Sequence, residues 1–120
     1  MNYIWMNPVV EKMYKKDLDS LKDNLNKKGF QVVSADGQLE QVKDKFKTEI
    51  MNSKKTVLDT RCPVAVDYVI NNINKDKYNI PKIEPILIHT ARYLYEFYIK
   101  DIKKDRLIIT TPCKALKELG

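Results

Sequence analysis

Glycine, cysteine, histidine and arginine are all scarce: the 120 residues hold three Gly, two Cys, one His and three Arg. Three glycines form no Gly-rich loop, which excludes phosphate cradling of the Rossmann or P-loop kind. The two cysteines, Cys62 and Cys113, lie 51 positions apart. They are too few and too distant for a secreted disulfide framework or a Cys-x-x-Cys zinc knuckle. The arginines do not cluster and no RNP-type aromatic motif occurs, so nucleic acid is not an expected partner. No run approaches the ~18 consecutive apolar residues of a membrane span, so no membrane is expected either. The first ten residues lack a basic start and a small-residue cleavage site, which predicts a soluble, cytoplasmic chain.

Lysine is what the sequence has in excess: basic residues number 22 against 16 acidic ones, giving net +6 and a pI of about 9.2. Lys alternates with Asp and Glu, as in Lys15-Lys16-Asp17 and Lys43-Asp44-Lys45. Interspersed signs cancel the field that phosphate binding needs, so these positions read as solvated helix surface. With 14.1 kDa and 43% hydrophobic residues, the chain predicts a single domain spanning 1–120 with one core.

Along the chain, strand and helix signals alternate. Tyr3-Ile4-Trp5-Met6 is an apolar run ending at Asn7-Pro8, where Asn caps a helix and Pro takes its first position. Val10, Tyr14, Leu18, Leu21 and Leu25 then make one helical stripe that Gly29 ends. Phe30-Gln31-Val32-Val33 reads as a strand closed by turn residues 34–37, and Leu39, Val42, Phe46 and Ile50 mark a second amphipathic helix. Thr56-Val57-Leu58 opens a third strand, and Cys62-Pro63 repeats the cap-then-proline pattern before a helix through Val66, Val69, Ile70 and Ile73. Residues 77–84 read as a loop punctuated by Pro81. Leu87, Ala91, Leu94, Tyr98 and Ile102 give a further stripe, 106–110 the last strand, and 114–119 a short terminal helix. Such alternation predicts an α/β fold: a single doubly wound layer with a four-stranded parallel sheet at 3–6, 30–33, 56–59 and 106–110, order 2-1-3-4, and helices on both faces.

In an open parallel sheet the ligand crevice lies beyond the carboxyl ends of the strands. Asn7, Asp36, Thr60, Arg61, Cys62, Thr111 and Cys113 follow the four predicted strands, so they are the candidate crevice residues. Each Cys also falls at or near a helix start, where the macrodipole favours thiolate, and Arg61 adds a cation. His89, the lone histidine, reads as a capping or surface residue. Tyr93, Tyr95, Phe97 and Tyr98 surround one helix, as core and rim do, rather than forming a stacking platform.

At these residues the chain resembles the first lobe of the catalytic domain of iron-only hydrogenases. Thr60-Arg61-Cys62-Pro63 with Val66, Tyr68, Val69 and Ile70 is similar to that family's T-S-C-C-P-x-x-V-x-Y-I stretch. Ile108-Ile109-Thr110-Thr111-Pro112-Cys113-Lys114-Ala115 resembles its strand ending in M-P-C-x-A-K. Residues 85–92 (PILIHTAR) resemble P-x-L-S-T-A-K-S-P, residues 5–10 (WMNPVV) stand where the family has A-P-A-V-R, and 25–33 (LNKKGFQVV) resembles L-x-x-L-G-F-x-x-V. The pieces occur in the family's order over nearly the whole chain. The resemblance implies that Cys62 and Cys113 match two of the four cysteines that hold a cubane iron-sulfur cluster joined to a diiron site. The other two belong to a later lobe, in a C-x-x-x-C motif that this sequence lacks. Arg61 replaces the family's proton-transferring Cys, Leu116 replaces a Lys that contacts the diiron ligands, and Tyr93-Leu94 replace Ser-Pro.

Three functions follow as expectations. One is a hydrogenase-like single-lobe protein, not itself a hydrogenase, that holds iron-sulfur or another thiophilic metal through Cys62 and Cys113 once a partner chain or second copy completes an incomplete ligand set. Another is a non-catalytic interaction or regulatory module that kept the fold. The third is a dithiol redox element made by the same two cysteines.

Overall fold

The computed structural model describes residues 1–119 and is mixed α/β. In chain order its elements are β1 (Asn2–Trp5), α1 (Pro8–Met13), α2 (Leu18–Lys27), β2 (Phe30–Val33), α3 (Gln38–Asn52), β3 (Thr56–Val57), α4 (Pro63–Asn72), β4 (Tyr78–Asn79), α5 (Ile86–Tyr98), β5 (Arg106–Ile109) and α6 (Lys114–Leu119), with a 3-10 turn at Lys75–Lys77. The residues divide into two compact units. One contains Met1–Ala35 and Thr90–Lys114, the other Asp36–His89 and the residues from Ala115 onward.

The first unit is built on a three-stranded parallel sheet in the order β2-β1-β5. Asn2 to Trp5 face Phe30 to Val33 on one side and Arg106 to Ile109 on the other. The burial of each strand follows from that order. A central parallel strand is covered on both faces and needs an unbroken apolar run, which Tyr3-Ile4-Trp5-Met6 supplies; Ile4, Trp5 and Met6 are all buried. Edge strands alternate, and Gln31 in β2 and Ile108 in β5 are exposed between half-buried or buried neighbours. Leu94, fully buried, and Thr90 and Ile99, also buried, come from the later part of α5 and the residue after it. Tyr98 packs on Tyr3 of β1 with ring centroids 5.0 Å apart, while Tyr93, Tyr95 and Phe97 stay exposed.

The helix signals after β1 hold at both ends. Asn7 Oδ1 accepts the N–H of Val9 at 2.9 Å, with Pro8 opening α1. Gly29 follows the end of α2 at φ +86, a left-handed conformation that a Cβ would strain. Between them the single expected helix is two. The N–H of Tyr14 is shared between Val10 O and Glu11 O at 3.3 Å, and Asp17 bonds back only three residues to Tyr14 O. Lys12, Lys15 and Lys16 stand at i, i+3 and i+4, where like charges oppose a continuous helix. The break lets Lys22 Nζ reach Glu11 Oε2 at 3.1 Å, although eleven positions of unbroken helix would span ~16 Å.

The expected four-stranded sheet with order 2-1-3-4 is corrected. The segment at 106–109 pairs with β1 directly, and the third strand does not enter that sheet. It belongs to the second unit, where β3 pairs in parallel with β4, Thr56 facing Tyr78 and Val57 facing Asn79. β3 is short because Asp59 turns the chain: its Oδ1 accepts the N–H of Arg61 at 2.8 Å. β4 lies in residues 77–84, which read as a loop; Asn79 Nδ2 donates to Glu49 Oε2 at 3.0 Å and Ser53 Oγ at 3.2 Å, which anchors it to the end of α3. Gly37, at φ +76, starts α3, and Gln38, Val42, Thr60, Pro81, Pro85 and Leu87 are buried in the second unit.

Thr110 Oγ1 accepts the N–H of Asn7 and donates to Trp5 O, both at 3.0 Å. Thr110→Val keeps the shape and strands a partly buried donor, so it should destabilise the chain by about 1–3 kcal/mol in urea unfolding, whereas Thr110→Ser should cost less. Equal effects of the two substitutions would show that the hydroxyl is not what matters. Asp105 Oδ2 accepts the N–H of Asp101 and of Lys100, each at 3.0 Å, and Oδ1 faces the Met1 ammonium at 3.3 Å. The bond from Asp101, then that from Lys100, holds the carboxyl below its ordinary 3.8. The charged form is favoured only in the folded chain, so this stabilisation is present above about pH 4 and is lost as pH falls through the lowered folded value. Thermal unfolding of Asp105→Asn should therefore give a lower Tm than wild type at neutral pH and a flatter decline below about pH 4; parallel acid limbs would remove Asp105 from the account.

Candidate functional site

The candidate crevice residues fall in two units. In the first unit, Asn7 and Thr111 lie past the carboxyl ends of β1 and β5, and both serve the local backbone. Asn7 caps α1, and Thr111 Oγ1 accepts the N–H of Cys113 at 3.1 Å. Cys113 itself is a half-buried free thiol just before α6. In the second unit Asp36 is exposed and its carbonyl accepts from Gln38 Nε2 at 3.3 Å. Thr60 is buried and donates to Ile83 O at 3.0 Å, which leaves its hydroxyl occupied. Arg61 is exposed and its guanidinium grips Asp59 Oδ2 at 2.6 Å rather than standing as an isolated cation beside a thiol. Cys62 takes the cap position of α4, is exposed, and makes no capping bond through its side chain.

A cubane cluster needs four thiolate or equivalent donors. Among the described residues no three His, Cys, Asp or Glu gather at one place. The donors present in those residues therefore do not fit such a cluster by themselves. Among the described residues no helix is long and apolar enough to cross a membrane.

A larger feature of the second unit was not among the sequence candidates. α3 presents two adjacent rows at i+4 spacing, Leu39-Lys43-Lys47-Met51 and Val42-Phe46-Ile50, and Val57, Leu58, Asp59, Arg61 and Ile86 complete a groove of about 540 Å³. That volume is in the range of ~300–1,000 Å³ usual for binding pockets. Three of its apolar residues are open to solvent: Leu39 is 51% exposed, Ile50 61% and Met51 76%. The sequence marked Leu39, Val42, Phe46 and Ile50 as the stripe of an amphipathic helix; of these Val42 is buried and Phe46 half-buried. The signal that could have separated groove from core is Met51 beside Ile50, which widens the apolar arc at the end of α3 where Lys54-Lys55 follows. A second cleft of about 550 Å³ is walled by Thr60, Pro63, Val66, Ile70, Pro81 and Lys82.

Cations outnumber anions in the groove's lining, with Lys43, Lys47 and Arg61 against Asp59. Arg61 is matched by Asp59, Lys43 leans on Glu40 at 3.6 Å in an exposed i,i+3 pair, and Lys47 has no ion pair among the described residues. Exposed pairs of this kind are worth little, so the α3 wall offers cations to whatever enters. In chemical terms the arrangement can desolvate apolar side chains and attract carboxylates; its lining holds no nucleophile and base in contact. Set against protein-family models, curated proteins and solved structures, the chain matches none of them.

Proposed function

We propose that this chain is a non-catalytic interaction module of α/β fold that docks a segment of another protein in the α3 groove. The observation that carries this reading is the exposure of Leu39, Ile50 and Met51 along one groove whose lining is mainly apolar. Contiguous apolar surface rimmed by polar residues marks interaction sites on soluble proteins. Leaving three large side chains in water costs the free chain, and covering them on docking recovers that loss at roughly 25 cal/mol per Å². Peptide display on the immobilised full chain should enrich sequences whose binding disappears in Ile50→Asp, a change at an already exposed position that leaves the fold intact by circular dichroism. Enrichment that ignores Ile50→Asp and Met51→Asp alike would overturn the reading.

A second reading follows the hydrogenase-like motifs. Its support is the exposed Cys62 thiol, turned to solvent at a helix start with no bond of its own, so a ligand set completed by a partner chain or a second copy could reach it. Anaerobic reconstitution with ferrous iron and sulfide should then give bound iron and sulfide that Cys62→Ser removes, and iron content no different between wild type and Cys62→Ser would end this reading.

A further inference from the structure

Three surfaces of the molecule stand open: the cleft beside Thr60, the exposed aromatic group at Tyr93 and Phe97, and the cationic wall of the α3 groove. Thr60 already gives its hydroxyl to Ile83 O, and the cleft's other lining is aliphatic with Asp67 and Lys82. Tyr93 and Phe97 stack on each other with centroids 6.0 Å apart, and nothing in the structure shows what covers them. The α3 groove sets charge beside its apolar lining.

We infer that the occupant of the α3 groove is an acidic amphipathic helix of another protein, its apolar face seated on Phe46, Ile50 and Met51 and its carboxylates against Lys43 and Lys47. This rests on the reading of the chain as an interaction module and names its partner class. The shape of the wall favours a helix. The rows Leu39-Lys43-Lys47-Met51 and Val42-Phe46-Ile50 line the groove at i+4 spacing, and rows so spaced on a helix form ridges whose intervening grooves receive the ridge of a second helix. The wall from Leu39 to Met51 is ~18 Å long at 1.5 Å per residue, enough for about three turns of a partner. Helix-in-groove docking reads as anchors at i, i+3 or i+4, and i+7.

The charges choose among helices. Lys43 and Lys47 lie one turn apart in the middle of the outer ridge, with Leu39 and Met51 at its ends. A partner with carboxylates flanking its apolar stripe meets two cations while its anchors meet the floor. A second copy of this chain, at net +6, would set the same lysines against each other if it used the same face. Nucleic acid would leave Leu39, Ile50 and Met51 in water and gain from Lys43 and Lys47 alone. The partner is thus defined by the combination of apolar stripe and flanking carboxylates.

The test uses the full chain and three labelled peptides about four turns long, read by fluorescence anisotropy: one with a Leu stripe flanked by Glu, one with the same stripe flanked by Lys, and one with the Glu residues kept and the Leu residues replaced by Ser. The Leu–Glu peptide should bind wild type, lose at least about thirtyfold in affinity on Ile50→Asp and about tenfold on the double variant Lys43→Glu, Lys47→Glu. The Leu–Lys peptide should prefer that double variant over wild type, an exchange that a fold defect cannot produce. Wild type binding the Leu–Lys peptide as well as the Leu–Glu peptide would overturn the acidic partner while leaving the groove as a docking surface. So would a Ser–Glu peptide or a single-stranded RNA that binds regardless of Ile50→Asp, because charge alone would then be the ligand. Self-association of wild type that Ile50→Asp abolishes and the Leu–Glu peptide cannot displace would replace the helix with a second copy. Binding of no peptide in an Ile50-dependent way would take the interaction-module reading down together with this one.

Discussion

The parallel hydrogen bonding of β1 to strands on both of its sides is the constraint on which the first unit depends. Four residues, Asn2 to Trp5, hold Phe30 to Val33 and Arg106 to Ile109 in register at once. Each end of the β1–β5 ladder is tied off: Arg106 N–H donates to Met1 O at 2.9 Å, and Thr110 N–H donates to Trp5 O at 3.1 Å. The Thr110 hydroxyl then reaches the N–H of Asn7, which is also the residue that caps α1. Strand pairing, the exit of the chain into its first helix and the seat of Asp105 are one connected set of bonds. A slip of one residue in β1 would send Ile4 and Trp5 each to the face the other now occupies and break all of them together.

Much of this was legible in the chain, because the physical signals were local. Asn7-Pro8 names a helix start by side-chain acceptor and missing N–H, and Gly29 names a helix end by its tolerance of positive φ; neither depends on distant residues. The apolar run Tyr3-Ile4-Trp5-Met6 also announces a strand covered on both faces. What the chain did not announce is which strand pairs with which. Thr56-Val57 and Leu107-Ile108-Ile109 look alike as short β-branched or aliphatic runs, and the choice between neighbours falls to Asp59, whose turn ends β3 after two residues, and to Asn79, whose amide anchors an otherwise signal-free partner. Two-residue strands have no periodicity to detect.

The functional surface was legible only in part. Periodicity shows that Leu39, Val42, Phe46 and Ile50 share a face, yet it carries no information about what covers that face, and a groove and a core produce the same stripe. Polar residues at strand ends posed the opposite difficulty. Asn7, Thr60 and Thr111 sit where crevice ligands sit in open parallel sheets, but short side chains in these places also satisfy nearby backbone groups, and that is how the structure uses all three. Of the two cysteines, Cys62 is exposed and makes no capping bond through its side chain, while Cys113 is half-buried.

The position of β5 has a further consequence during synthesis. Its residues follow those of β1 by more than a hundred positions, and at ~5–20 residues per second a ribosome needs roughly 5–20 s to make the chain between them. For that interval β1 can pair with β2 and no more, leaving Tyr3-Ile4-Trp5-Met6 with one open hydrogen-bonding edge. An unpaired, apolar edge is a template for association with other chains, so the nascent protein passes through a window of exposure to aggregation and to chaperone capture. That window closes only when 106–109 has left the exit tunnel.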